Sequence, residues 1–511
     1  MRRKTSIGLI LALLATPVPA LAADLTPANS GRLEAAAGTG ATRLHLLMLQ
    51  QIAKISDGTR ASGTIGFRRS GDYVKFVLRL AGLTPREQVF DYDKFTETGT
   101  PVFEQTRPTF KAFAHETDFL TMEYSAAGDV AGRIIIAKGT TVPPTGDAGT
   151  TASGCKPGDF GPSTKGRIAL IQRGTCTFGE KAANAAAAGA VAAVIFNEGQ
   201  DGRTDTLSGT LGGRAAIPVL GTSYAVGKEL YDRVKAGNVV TLHVKVEAET
   251  KTVKTFNVIA DRKGVRDDRV VVVGAHLDSV EEGPGINDNG TGTAQLLATA
   301  VGMKLLGIKP ENTVRFAFWG AEESGLIGST FYVDSLSDAE KAKIMANLNF
   351  DMLGSPNYAR LVYDGDGTLG DAGPTGSAAI EHLFQAYFKK KGLASQPTEF
   401  DGRSDYFAFI DAGIPAGGLF SGAEEVKTKA QVKLYGGTAG KAFDECYHKA
   451  CDGFGNVNFK AMQELGGAAV NAILTLATTK VDIRAEGAPA AVRSARSAAA
   501  SAEWRGGHLV R

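Results

Sequence analysis

The chain has 511 residues, 43% hydrophobic and 22% charged, with Lys+Arg 56 against Asp+Glu 54 and a formal net charge of +2. This is globular composition, long enough for two or three domains, and it excludes a disordered chain and a polytopic membrane protein. The 63 glycines follow no collagen-like period, which excludes a fibre, and the near-neutral charge gives no general attraction to nucleic acid or an anionic membrane.

The first residues read as an export signal. Arg2, Arg3 and Lys4 precede an apolar run from Ile7 to about Ala15, followed by Pro17, Pro19 and the small-x-small sequence Ala20-Leu21-Ala22. The run is shorter than the ~20 residues that span a bilayer, so residues 1–22 are expected to be a cleaved signal peptide. The mature protein is then exported, periplasmic or extracellular, with no membrane span, and it is expected to act as a monomer. Four cysteines in an oxidising compartment are expected to pair. Of three possible pairings, Cys155 with Cys176 and Cys446 with Cys451 is favoured, because each pair lies within one sequence region.

From about residue 41 to 82 the pattern is helical. Leu44, Leu47, Met48, Gln51, Ile52 and Ile55 mark one helix, and Tyr73, Phe76, Val77, Leu80 and Ala81 a second. Gly82-Leu83-Thr84-Pro85 ends it, and residues 88–95 read as a strand. This is too little for a domain, so residues 24–120 are expected to pack on something downstream. Between 121 and 247, short apolar strands at 167–172, 191–196, 217–221 and 239–246 surround an alanine-rich helix at 178–189. No ligand-type residues cluster in this small α/β module, which points to a binding or lid role. From 255 to 480 strands and helices alternate: strands at 270–274, 314–319 and 346–352, helices at 292–306, 325–336 and 377–391. Continuous apolar strands of this kind make a largely parallel sheet covered by helices on both faces. Residues 485–511, rich in Ala, Arg, Ser and Gly, read as an unpacked tail.

In such sheets ligands bind beyond the carboxyl ends of the strands. His276-Leu277-Asp278 and, after a glycine-rich loop, Asp288 follow the first strand. Glu322 and Glu323 follow the second, Asp351 ends the third, and Tyr447 and His448 stand between two cysteines. Asn289-Gly290-Thr291-Gly292 is a competing dinucleotide loop, but Gln295 occupies the place of its third glycine. Taken together, the histidines and carboxylates meet the demand of two zinc ions sharing one carboxylate. Five ligands, one bridging, give each ion three protein ligands and leave room for water. Two ions roughly 3.5–4 Å apart clamp a hydroxide and the oxygen of the bond under attack.

His276-Leu277-Asp278-Ser279, Gly285-Ile286-Asn287-Asp288-Asn289-Gly290, Trp319-Gly320-Ala321-Glu322-Glu323, Asn349-Phe350-Asp351-Met352 and Cys446-Tyr447-His448 resemble the signatures of the secreted dizinc aminopeptidases, the leucyl-aminopeptidase-like and aminopeptidase Y-like exopeptidases. The resemblance covers 255–480. Through Gly166-Arg167-Ile168-Ala169-Leu170-Ile171-Gln172-Arg173-Gly174, the segment 121–247 is similar to a protease-associated (PA) domain inserted in that fold. It implies His276 and Asp351 on one zinc, Glu323 and His448 on the other, and Asp288 bridging. Asp278 would orient His276, Glu322 would be the general base that returns the proton to the leaving amine, and Tyr447 would donate to the oxyanion. The Cys446–Cys451 bridge would staple the Tyr447–His448 loop. Gly402-Arg403-Ser404-Asp405 and the stretch around Phe420 match the part of the family that holds the first substrate residue. Arg403 and Phe420 become pocket walls, unless Arg403 is only a surface partner of Asp401 or Asp405. The implied substrates are peptides or proteins with a free N-terminus, large apolar residues being preferred there. A dizinc carboxypeptidase or dipeptidase is the nearest alternative, although 401–424 offers only Arg403 as a carboxylate partner. A non-catalytic receptor-like relative is the distant one, and it would have lost zinc ligands that are present here.

Overall fold

The structure is a computed structural model that describes residues 29–485 apart from 147 and 201. The expected signal segment and nearly all of the tail, with His508, lie outside the described residues.

In chain order the strands are β1 (Arg86–Glu97), β2 (Val102–Arg107), β3 (Lys111–Ala112), β4 (Phe119–Thr121), β5 (Gly128–Ile136), β6 (Ile168–Gln172), β7 (Ala192–Phe196) and β8 (Val219–Thr222). There follow β9 (Thr241–Val246), β10 (Ala248–Arg262), β11 (Arg266–His276), β12 (Asn312–Trp319), β13 (Ile344–Phe350), β14 (Leu361–Tyr363), β15 (Gln396–Thr398) and β16 (Ala416–Phe420). They form two eight-stranded sheets, β1-β10-β12-β11-β13-β16-β14-β15 and β3-β2-β9-β5-β6-β7-β8-β4.

In the first sheet β12, β11, β13 and β16 run parallel, while β10 lies antiparallel between β12 and β1, and β14 lies antiparallel to β16, so the sheet is mixed. The valine run of β11 shows why it is central. Val271 and Val273 face one core with Leu46, Leu49, Phe67, Leu296 and Leu465; Val270 and Val272 face another with Trp319, Tyr332 and Phe409. Alternate residues point to opposite faces, so a strand covered on both sides must be apolar throughout. The helices Thr39–Lys54, Ile65–Leu80, Gly290–Leu305 and Phe459–Thr478 cover the first face. The expected packing of the N-terminal helices on the downstream sheet is therefore present.

Of the apolar residues that marked those helices, Ile52, Val77 and Ala81 face the core and several others do not. Leu44, Leu47, Met48 and Ile55 are exposed, as are Phe76 and Leu80, while Leu46, Leu49, Ile52, Val74, Val77 and Leu78 are buried. Both faces carry apolar residues, so periodicity located the helices without orienting them. The helices Tyr224–Lys235 and Phe459–Thr478 were not anticipated.

The second sheet begins at Val102, ahead of the boundary expected at 121, because the short, polar β2 to β4 carry no apolar run to announce them. Its strands β5 to β8 are parallel, and the helices Phe178–Ala187 and Tyr224–Lys235 pack in the two separate cores of this lobe. Cys155–Cys176 and Cys446–Cys451 are the disulfides, as favoured from sequence. The lobes are joined by β1 and β10, antiparallel from Arg86↔Ile259 to Glu97↔Ala248. Arg214 of the second lobe grips Asp93 of this stalk with two hydrogen bonds of 2.7 Å, and Tyr124 donates to the Asp93 carbonyl at 2.9 Å.

Candidate metal centre

β11, β12, β13 and β16 end at one edge, and the chemistry follows from that. His276 closes β11 in register with Trp319, which closes β12 and is followed by Glu322 and Glu323; Asp351 follows Phe350 of β13. Asp288 arrives from the loop after β11. Asn289 caps the next helix by accepting from Gly292 at 2.9 Å and donates to the Phe350 carbonyl at 2.9 Å. A Cβ on Gly292 would lie 2.1 Å from that carbonyl. Helix-to-strand packing therefore demands this glycine, not approach to a phosphate.

The expected ligands converge. His276 Nε2 lies 3.1 Å from Asp288 Oδ1 and 3.3 Å from Asp351 Oδ1. His448 Nε2 lies 3.3 Å from Asp288 Oδ2 and 3.0 Å from Glu323 Oε2. The two oxygens of Asp288 thus face different imidazoles, as a bridging carboxylate must. Ligand atoms of His276, Asp288 and Glu323, and of His276, Glu322 and Asp351, lie within 4.8 Å of one another. Glu323 Oε1 and Asp351 Oδ1 are buried and accept no hydrogen bond. Imidazole nitrogens with carboxylate oxygens suit zinc, so the residues present fit the metal.

The electrostatics agree. Burial lowers the affinity of His276 for a proton, but Glu322, Asp351, Asp278 and Asp288 together raise its pKa well above the histidine range. For His448 burial is likewise outweighed, by Glu323 and Asp288, and its pKa rises to about 10. Burial would raise Asp288, yet hydrogen bonds from the two histidines hold it well below the carboxylate range. Glu322 is pushed well up, chiefly by burial. A centre so rich in buried carboxylate gathers positive charge, and a dication would release the protons held on the imidazoles.

All five expected ligands line one cavity of about 100 Å³ with Glu322, Tyr447, Arg403 and Phe420. Asp278 lies behind them, facing His276 Nδ1. The His276 Nδ1 is 3.2 Å from the Asp278 backbone carbonyl and 3.7 Å from its carboxylate, whose Oδ1 also accepts from the Glu322 N–H at 3.3 Å. Asp278 thus adjoins both His276 and Glu322. Arg403 pairs with Glu424 at 2.8 Å, not with Asp405, and donates to the Tyr447 hydroxyl at 3.3 Å. That contact leaves the tyrosine proton to donate elsewhere. Asp405 is fully buried, and burial first, then Asp351 and Asp278, raises its pKa to about 8.

Three positioning residues escaped the sequence reading. Arg60, fully buried, donates its guanidinium to the carbonyls of Leu277, Pro284 and Gly285, fastening the loop between His276 and Asp288. Asp452 accepts the N–H groups of Asn287 at 2.9 Å and Asp288 at 3.0 Å. Ser404 donates to Asp351 at 2.6 Å and receives Asn349 at 2.8 Å. Ser404 stood in the stretch Gly402-Arg403-Ser404-Asp405 and Asp452 adjoins the Cys446–Cys451 loop, whereas nothing in the sequence pointed to Arg60.

Two histidines and several carboxylates clustered at the carboxyl edge of a mixed α/β sheet are the arrangement of a metal-dependent hydrolase. The chain belongs to peptidase family M28, which it matches over residues 257–473, and it matches the PA domain over residues 137–230. It is 46% identical over 457 residues to an aminopeptidase of Pseudomonas aeruginosa, covering 88% of this chain and 83% of that protein. It is 51% identical over 310 residues to leucine aminopeptidase 2 of Trichophyton equinum, 60% of this chain and 61% of that one. The solved aminopeptidase of Aneurinibacillus sp. strain AM-1 superposes with a TM-score of 0.70 at 25% identity over 89% of this chain and 97% of that one. A zinc aminopeptidase of Bacillus subtilis shares the fold, with a TM-score of 0.57 at 24% identity over 88% and 97%.

Proposed function

We propose that this metalloaminopeptidase is exported and releases the N-terminal residue of peptides and proteins, with a preference for large apolar residues, using two zinc ions per chain. The observation that carries the dinuclear reading is Asp288, whose two oxygens face His276 and His448 separately. His276 and Asp351 would hold one ion, Glu323 and His448 the other. Bound zinc supplies Lewis acidity that polarises the scissile carbonyl and lowers the pKa of water.

The chain's own groups do the rest. Glu322, buried beside His276 and Asp351, takes the proton of the attacking water and passes it to the leaving nitrogen. Tyr447, its hydroxyl oxygen already accepting from Arg403, donates toward the oxyanion. Glu322 and Asp351 present negative charge to the substrate ammonium, while Tyr363 and Phe420 line the same cavity for an apolar side chain. Arg403 is the only arginine or lysine among the lining residues and is engaged by Glu424, which weighs against a carboxylate-recognising carboxypeptidase or dipeptidase. No helix among the described residues is long and apolar enough to cross a membrane.

The test is hydrolysis of leucine-p-nitroanilide beside its N-acetylated form, with chelator and then with zinc restored. Cleavage of the free amine alone, lost with chelator and recovered with zinc, is expected. Equal cleavage of the acetylated substrate would remove amine recognition from the reading.

A further inference from the structure

Between the lobes, beside the metal centre, lies a cavity of about 490 Å³. It shares Glu123, Val280 and Glu323 with the catalytic cavity, so the two adjoin. Glu123, from the turn between β4 and β5, brings the second lobe to the catalytic cavity itself. Opposite stands the loop after β11 with Glu281 and Glu282, and Glu97 comes from the end of the stalk. Lys94 is the only lysine or arginine among the lining residues, and it pairs with Glu281. The wall also includes Asp278, fully buried, whose Oδ2 accepts no hydrogen bond.

The position of this space relative to the reacting bond follows from the proposed aminopeptidase reading, on which the inference rests. With the substrate ammonium at Glu322 and Asp351 and its side chain toward Tyr363 and Phe420, the leaving chain departs past the opposite ligand pair. Glu323 belongs to that pair and also to the wall of the second cavity. We infer that the inter-lobe cavity is the subsite for the one or two residues after the scissile bond, and that it selects lysine or arginine there over aspartate or glutamate. A cationic side chain in this cleft meets carboxylates from both lobes and the stalk, and an acidic one is repelled by the same groups. The second lobe thereby becomes a specificity element of the peptidase.

The experiment compares kcat/KM for the peptides Leu-Lys-Ala, Leu-Ala-Ala and Leu-Glu-Ala on the zinc-loaded enzyme, at low and at high salt. The Lys peptide is expected to exceed the Glu peptide by about fivefold or more at low salt, with the ratio shrinking in 1 M salt, where the screening length falls to about 3 Å. In the Glu97→Gln and Glu282→Gln variants the same ratio should fall toward one; because it is read within each variant, a general loss of activity cancels. Equal rates for the two peptides on the native enzyme would overturn the inference while leaving the aminopeptidase reading intact, and so would a ratio untouched by both substitutions. Failure to cleave either these peptides or leucine-p-nitroanilide would overturn both.

Discussion

Glu322 and His45 are both buried ionisable groups, with opposite consequences. Glu322 is kept among carboxylates, where burial raises its pKa and readies it to exchange a proton. Glu322→Gln keeps the side-chain volume and removes that exchange. It is expected to lower kcat by roughly 10²- to 10⁴-fold with zinc content unchanged, checked by steady-state kinetics beside metal analysis. His45 stands on the helix Thr39–Lys54, where its Nδ1 and the Tyr73 hydroxyl share a hydrogen bond of 2.6 Å. Burial lowers its pKa to about 4. The unfolded chain therefore binds the proton first, and stability falls as pH drops from about 6.5 toward 4. Going from pH 7.5 to 4.5 should cost on the order of 2–3 kcal/mol through this residue, a slope that His45→Gln removes, as urea unfolding would show. The two residues differ in legibility. Glu322 was readable because it follows an apolar strand, where sites are built; the burial of His45 was not, because apolar residues stand on both faces of its helix.

Among the elements, the Cys446–Cys451 loop and the loop after β11 meet across a long stretch of sequence. His448 has a left-handed backbone, φ 56°, which a non-glycine residue holds only when its surroundings impose it. The disulfide closes the loop on one side, and Asp452 anchors it to Asp288 on the other. Asp452→Ala should leave the fold and the disulfide in place and weaken zinc binding about 10- to 100-fold, measured by competition with a chromophoric chelator. Unaltered affinity would make Asp452 a packing residue only. The strands and helices of the peptidase sheet were legible because buried parallel strands are continuously apolar. The roles of the anchors were not, since Arg60 and Asp452 act on backbone groups of a distant loop.

At the scale of the molecule, the second lobe is held to the stalk by Arg214 and Asp93. The Arg214 hydrogen bonds, more than any other influence, lower the Asp93 pKa to about 2. A carboxylate held down in this way stabilises above its unfolded pKa and loses the effect only as pH falls toward 2. The stalk contact therefore outlasts the His45 contribution on acidification. Arg214→Ala should speed hydrogen exchange in β1 and β10 around Asp93 and Thr252 without altering exchange in β11 to β13, as mass spectrometry would show. Faster exchange throughout would mean that the lobe stabilises the peptidase core.

The sequence alone pointed to the class of sheet, favoured the disulfide pairing and singled out the residues gathered at the metal centre. Each of these depends on local pattern: apolar runs, the residue after a strand, cysteines close in the chain. The tertiary structure decided which helix faces are buried, where the second lobe begins, that Arg403 pairs with Glu424, and that Glu123 of that lobe reaches the catalytic cavity. Those outcomes depend on which distant segments share space, and a one-dimensional pattern does not encode a contact between residues it never brings together.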